Sequence, residues 1–265
     1  MTPRFRMIAG PNGSGKSTLT ALLRNDYAVN FYTLLNADEI FAEVSKSHSF
    51  SAPVPVDQFD LLEYAIASEY DENTKEHFVQ GRIFIEGDIV RFLSKDAVNS
   101  YTIALVTNFL QNSCIKENVS FSQETFFSHV SKVEALKDAR NAGYRTYLYF
   151  VANQDVSINL TRISNRVKRG GHDVPIEKVM ARAKRSLANV KAALPYCARA
   201  FFFDNSSMEM EFLAEYSEEN GMSIYWMLCY NGGTSIAVVA TGGRNDENHI
   251  LLDELYMKFK EDIHE

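Results

Sequence analysis

Residues Gly10, Pro11, Asn12, Gly13, Ser14, Gly15, Lys16 and Ser17 satisfy the pattern G-x-x-x-x-G-K-[ST] at every fixed position. Such a segment binds the phosphates of a nucleoside triphosphate when a strand leads into it and a helix follows. Phe5-Arg6-Met7-Ile8-Ala9 precedes it as an apolar run, and Thr18-Leu19-Thr20-Ala21-Leu22-Leu23 follows with helical character. Glycines let successive backbone N–H groups turn toward one anion. The positive end of the following helix points to the same place. The pattern assigns Lys16 to the β- and γ-phosphates and the Ser17 hydroxyl to Mg²⁺, with Thr18 beside them. ATP and Mg²⁺ are therefore the expected cofactors.

A triphosphate site needs an acceptor and a means of neutralising charge, and three further segments supply candidates. Asn36-Ala37-Asp38 falls where a second strand should end. Ligands of open α/β sheets bind beyond the carboxyl ends of the strands. Asp38 there can orient an acceptor hydroxyl and take its proton, or it can simply cap the next helix. Phe121-Ser122-Gln123-Glu124-Thr125 closes a β-like segment. Glu124 can accept hydrogen bonds from a polyhydroxylated substrate, and Thr125 can do the same or cap a helix. Arg166-Val167-Lys168-Arg169-Gly170-Gly171-His172-Asp173-Val174-Pro175 joins two helical segments and is dense in cations and glycine. A loop of this kind can fold over ATP and neutralise transition-state charge, or it can be a solvated basic turn. Arg182 lies thirteen residues beyond Arg169, and a helix start between them can bring both to one phosphate. His172 reads as a loop-fixing hydrogen-bonder.

The elements that must hold these residues alternate between period-two and helical patterns, which predicts an α/β fold: a parallel sheet with helices on both faces. Strands are expected at Arg4–Ala9, Phe31–Asn36, Ser120–Glu124, Tyr144–Ala152 and Arg199–Phe203. Helices are expected at Lys16–Asn25, Ala37–Lys46, Ser128–Asn141 (closed by Gly143), Asp155–Lys168 and Ile176–Leu194. Residues 49–95 read as an insertion, with an acidic helical stretch over Leu61–Asn73 and a strand at Arg82–Glu86. Ser223–Tyr230 and Thr234–Thr241 flank Asn231-Gly232-Gly233, a hairpin signal. A last helix, Asn248–Asp262, carries Leu251, Leu252, Leu255, Tyr256 and Phe259 on one face. The expected domains are a kinase-like core over 1–206 and a hairpin-plus-helix extension over 207–265.

Composition narrows the partners. The net charge of -7 over 265 residues argues against nucleic acid, which needs a basic face. No apolar run is long enough to predict a membrane span, and Met1-Thr2-Pro3-Arg4 runs directly into the first strand, so a cytoplasmic location is expected. Cys114, Cys197 and Cys229 are far apart and without metal spacing, which predicts free thiols.

Gly10–Ser17, Asn36-Ala37-Asp38, Ser120-Phe121 with Glu124-Thr125, Ala142-Gly143-Tyr144-Arg145, Arg166-Val167 with Gly170–Pro175, Arg185-Ser186-Leu187-Ala188-Asn189 and Asp204-Asn205-Ser206 occur in one order along the chain. This set resembles the zeta-toxin family, from the N-terminus to about residue 206. The resemblance implies a P-loop kinase acting on a hydroxyl of a sugar nucleotide, with UDP-N-acetylglucosamine as the family acceptor. Many members are toxins held by an antitoxin, so an antitoxin is the implied protein partner. By position, Lys16 holds the triphosphate, Asp38 is the base, and Glu124 and Thr125 contact the sugar nucleotide. Arg169 and Arg182 neutralise charge, with Arg166 and Arg185 as alternates. The chain departs from the family in the long gap between Asp38 and Phe121 and in Ala183, where a tyrosine-like residue stands between the helix arginines. A kinase for another metabolite, such as a nucleotide or dinucleotide, and a non-catalytic ATP-binding interaction module remain the alternative readings.

Overall fold

The computed structural model describes residues 2–168, 175–230 and 233–240. In chain order the elements are Arg4–Ala9 (β1), Lys16–Asn25 (α1), Thr33–Asn36 (β2), Ala37–Ser47 (α2), Ser49–Ser51 (β3), Gln58–Ala67 (α3), Glu72–Val79 (α4), Ile83–Glu86 (β4) and Ile89–Phe92 (β5). There follow Ser100–Lys116 (α5), Phe121–Thr125 (β6), Ser131–Asn141 (α6), Arg145–Ala152 (β7), Val156–Lys168 (α7), Ile176–Ala193 (α8), Arg199–Asp204 (β8), Glu211–Ser217 (β9), Gly221–Tyr230 (β10) and Gly233–Ala240 (β11). The α/β class expected from the sequence is the class observed. The chain forms two compact units, 1–30 with 125–265, and 31–124.

In the first unit, β7 runs between β1 and β8, parallel to both. Thr146 to Ala152 are all buried, as a strand covered on both faces requires. Tyr149 stacks on Phe201 of β8 with ring centroids 5.0 Å apart. Antiparallel β9 pairs with β8, and β10 and β11 continue the same sheet. The expected hairpin strands are thus present, while its turn residues Asn231 and Gly232 and the helix expected at Asn248–Asp262 lie outside the described residues. Helix α6 ends as the sequence predicts. Gly143 N–H donates to Arg140 O and Tyr144 N–H to Ala139 O, the paired bonds of a glycine-closed helix.

Three expectations need correction. Helix α6 begins at Ser131 rather than Ser128, because the carbonyls of Phe126, Phe127 and Ser128 are bonded to side chains of α8. In the second unit, the helical stretch over Leu61–Asn73 is two helices, α3 and α4. Asp57 caps the first by accepting from Phe59 N–H and Asp60 N–H, and Asp71 caps the second by accepting from Thr74 N–H. Helix α5 was not anticipated, because its apolar residues recur on every side. Ile103, Leu105, Val106, Phe109, Leu110 and Cys114 are all buried, and burial on most sides, with Tyr101 and Asn112 left exposed, blunts the amphipathic period. Asn99 opens it with a capping box shared with Thr102.

The strand expected at Arg82–Glu86 is β4, in a three-stranded antiparallel sheet ordered β3-β5-β4. The parallel pair β2–β6 sets Asn36 opposite Glu124 at its carboxyl end. Among the described residues no helix is long and apolar enough to cross a membrane.

Cys114 and Cys197 are buried and not disulfide-bonded. Burial pushes both thiols up to about 12, so neither carries appreciable thiolate near neutrality. Titration of the native protein with a chromogenic disulfide at pH 8 is expected to modify no more than one of the three cysteines within minutes, and all three after denaturation.

Candidate nucleotide-binding site

The phosphate loop spans the turn between β1 and α1. Gly15 sits at the helix N-terminus with φ 100°, and Gly13 has φ 76°, both in the left-handed region that favours glycine. Space imposes the same choice. A Cβ on Gly13 would lie 2.6 Å from Asn159 O, and one on Gly15 would lie 2.0 Å from Asn205 Nδ2. Ser17 and Thr18 are exposed on the first turn of α1, and Lys16 is buried.

Every carbonyl from Gly10 to Ser14 accepts a hydrogen bond. Lys16 Nζ donates to Gly10 O at 3.1 Å and Pro11 O at 3.0 Å. Asn159 Nδ2 donates to Asn12 O at 2.7 Å, Asn153 Nδ2 to Gly13 O at 3.4 Å, and Asn205 Nδ2 to Ser14 O at 2.9 Å. Behind these amides, Arg162 donates to Asn153 Oδ1 and Asn205 O. The block Asp204-Asn205-Ser206 aims the last amide: the Asp204 carboxylate accepts from Ser206 N–H and Gln154 Nε2. Asn153, Asn159 and Arg162 were not singled out in the sequence. An asparagine reads there as a turn or surface residue, and only its approach to a loop carbonyl reveals its use.

Two cations meet over one ring. Lys16 Nζ lies 4.8 Å from the centroid of Phe126, and the Arg182 guanidinium carbon lies 5.3 Å from it. Such contacts attract a cation to the face of an aromatic ring. Arg182 Nη1 also reaches Asn12 Oδ1 at 3.5 Å, at the outer limit of a hydrogen bond. The Arg182 side chain is therefore at the phosphate loop. Its neighbours on α8 have another task. Arg185 Nε donates to Ser128 O, Ser186 Oγ to Phe126 O and Asn189 Nδ2 to Phe127 O. The Arg-Ser-Leu-Ala-Asn block thus fastens residues 126–128 and places Phe126. Thr125, next to this segment, is half-buried. Arg166 is exposed on α7, and Arg169, His172 and the glycines between them lie outside the described residues.

Asp38 and Glu124 belong to the second unit. The cap of α2 is Asn36, whose Oδ1 accepts from Asp38 N–H at 3.0 Å. This answers the capping alternative raised for Asp38: its backbone is capped, and its side chain does not cap. Asp38 is exposed in the first turn of α2, and Glu124 is half-buried opposite Asn36.

A separate cleft in the first unit is lined by Arg140, Arg145, Arg199, Glu215, Glu218 and Glu219. It lies at the amino ends of β7 and β8, the far end of these strands from the phosphate loop. Its ion pairs Arg140–Glu218 and Arg199–Glu215 are internal, so its charge is already matched.

No family model matches the chain. A cytidylate kinase of Thermodesulfovibrio yellowstonii is 22% identical over 210 residues, covering 77% of this chain and 91% of that enzyme. Among solved structures, the AvrRxo1-ORF1:-ORF2 complex with ATP matches with a TM-score of 0.52 at 12% identity, covering 96% of this chain and 64% of that one. The chain therefore spans just under two thirds of that neighbour. The PezAT chromosomal toxin-antitoxin structure of Streptococcus pneumoniae matches with a TM-score of 0.44 at 13% identity, covering 79% and 72%. The chain thus shares the α/β fold of the AvrRxo1-ORF1:-ORF2 structure.

The contact at Gly13 gives a direct test. Gly13→Ala is expected to cost at least ~2 kcal/mol, combining left-handed strain with a backbone clash. Gly87→Ala, at φ 61° with nothing within 4 Å of the added Cβ, is expected to cost only about 1 kcal/mol. Urea unfolding of both variants measures the difference, and equal costs would contradict the close approach.

Proposed function

We propose that the protein is an ATP- and Mg²⁺-dependent kinase that transfers the γ-phosphoryl group to a hydroxyl of a sugar nucleotide, with UDP-N-acetylglucosamine as the favoured acceptor. The observation that carries the kinase reading is the phosphate loop with all its carbonyls from Gly10 to Ser14 bonded. Left-handed glycines at 13 and 15 accompany them. A loop so tied offers N–H groups to an anion, and a side chain at Gly13 or Gly15 would strike the asparagines that tie it. Both features fit a bound polyphosphate. The exposed Ser17 hydroxyl fits a Mg²⁺ ion held mainly by phosphate oxygens. The acceptor rests on the resemblance to the zeta-toxin family.

In this reading Lys16 exchanges its bonds to Gly10 O and Pro11 O for phosphate oxygens. Arg182, and Arg169 from the following loop, neutralise charge as the γ-phosphoryl group departs. Asp38 orients the acceptor hydroxyl and takes its proton, while Glu124 and Thr125 hold the sugar nucleotide. Mg²⁺, when bound, supplies charge neutralisation at the phosphate oxygens. The resemblance also supports an antitoxin-like protein partner.

A second reading, a nucleotide as acceptor, is favoured by one observation. The similarity to a cytidylate kinase extends over 77% of the chain. Incubation with ATP and Mg²⁺, followed by mass spectrometry, separates the two. One added phosphoryl group on UDP-N-acetylglucosamine, absent with Lys16→Ala, is expected, and Asp38→Asn should lower the rate by about 10²-fold or more. Product from cytidine monophosphate alone would replace the acceptor. Tight ATP binding with no product from a broad acceptor panel would favour an interaction module, and full activity of Asp38→Asn would remove the assigned base.

A further inference from the structure

The phosphate loop is held by side chains from three separate elements, none of which the proposed phosphoryl transfer uses. Asn153 follows β7, Asn159 is on α7, and Asn205 follows β8. All three are buried, at 7%, 2% and 8% exposure. They also hold one another. Asn153 Nδ2 donates to Asn159 Oδ1 at 2.9 Å, and Arg162 bridges Asn153 Oδ1 and Asn205 O. Asn205 N–H donates to Ala152 O, which ties the segment to the end of β7.

Planarity turns these bonds into control of the loop. In a trans peptide the C=O and the next N–H point in opposite directions, and no cis peptide is present among the described residues. Holding the carbonyls of Asn12 and Ser14 against Asn159 and Asn205 therefore directs the N–H groups of Gly13 and Gly15 the other way. The intervening Ser14 N–H closes a turn onto Pro11 O at 3.3 Å. Without the amide donors these peptide planes are free to rotate, and the buried carbonyls lose their partners.

We propose that Asn159 and Asn205, braced by Asn153 and Arg162, are positioning residues that set ATP affinity by fixing the peptide planes of the phosphate loop. The proposal rests on the kinase reading only for its ligand, ATP. It separates two tasks within the site. Lys16 and the arginines act on charge, and the amides act on the direction of backbone donors without touching the nucleotide.

Asn159→Asp and Asn205→Asp keep size and remove the N–H₂ donor. The carboxylate introduced by Asn159→Asp would still present an oxygen to Asn153 Nδ2. Asn159→Leu and Asn205→Leu remove the donor without adding charge. Asn165→Asp, exposed on the same helix α7, is the control. Calorimetric ATP binding, KM for ATP, kcat and melting temperature are measured for each. Each Asp and Leu variant that melts cooperatively is expected to bind ATP at least about tenfold more weakly, with kcat at saturation within about threefold of wild type. Having two sites guards against one variant failing to fold. Unchanged ATP affinity, weakening in the Asp variants alone, or loss of kcat at constant KM would overturn the proposal. A wild-type protein that binds ATP but phosphorylates no acceptor would sink the kinase reading and leave the affinity comparison valid. A wild-type protein that binds no ATP would overturn both.

Discussion

A phosphate loop works only if its backbone donors face the anion, and every peptide plane that turns a donor inward turns a carbonyl outward. Those carbonyls are buried and must be satisfied. Here the need is met across the chain: Lys16 serves Gly10 and Pro11, and three asparagines serve Asn12, Gly13 and Ser14. The donors come from the carboxyl ends of β7 and β8 and from α7, so the shape of the loop depends on the parallel strands β1, β7 and β8 being in register. Local motif and global fold are thus one constraint. The glycines belong to it as well, since the asparagines approach closely enough to leave no room for a Cβ at positions 13 and 15.

The same economy appears around Phe126. Three side chains of α8 bond the carbonyls of residues 126–128 and so place an aromatic face against both Lys16 and Arg182. A segment that reads as a helix start is instead a brace outside any helix. Arg185 is occupied with this brace, whereas Arg182 faces the loop. Neighbouring arginines on one helix thereby acquire different tasks, which their spacing alone does not reveal.

Much of this was legible beforehand. The glycine pattern with its flanking strand and helix announced the phosphate loop, because close approach and left-handed backbone leave glycine no substitute. Apolar runs such as Tyr147-Leu148-Tyr149-Phe150 marked a strand buried on both faces. Helix α5 stayed hidden because burial on most of its sides blunts the amphipathic period. The break between α3 and α4 was missed because Asp71 reads as one more acidic helical residue until its bond to Thr74 N–H is seen. The asparagine brace was illegible for a related reason: an amide that serves a carbonyl well over a hundred positions away leaves no local pattern.

In the proposed kinase the loop is already formed for phosphate, and Lys16 is the group that must change partners. A crystal structure with Mg²⁺ and a non-hydrolysable ATP analogue tests this most directly. Phosphate oxygens are then expected on the N–H groups of Gly13, Gly15, Lys16 and Ser17, with Lys16 Nζ moved from Gly10 O and Pro11 O to the β- and γ-phosphates and the asparagine bonds to Asn12 O and Ser14 O intact. An analogue bound elsewhere, or a loop that reorganises around it with those asparagine bonds broken, would contradict the account.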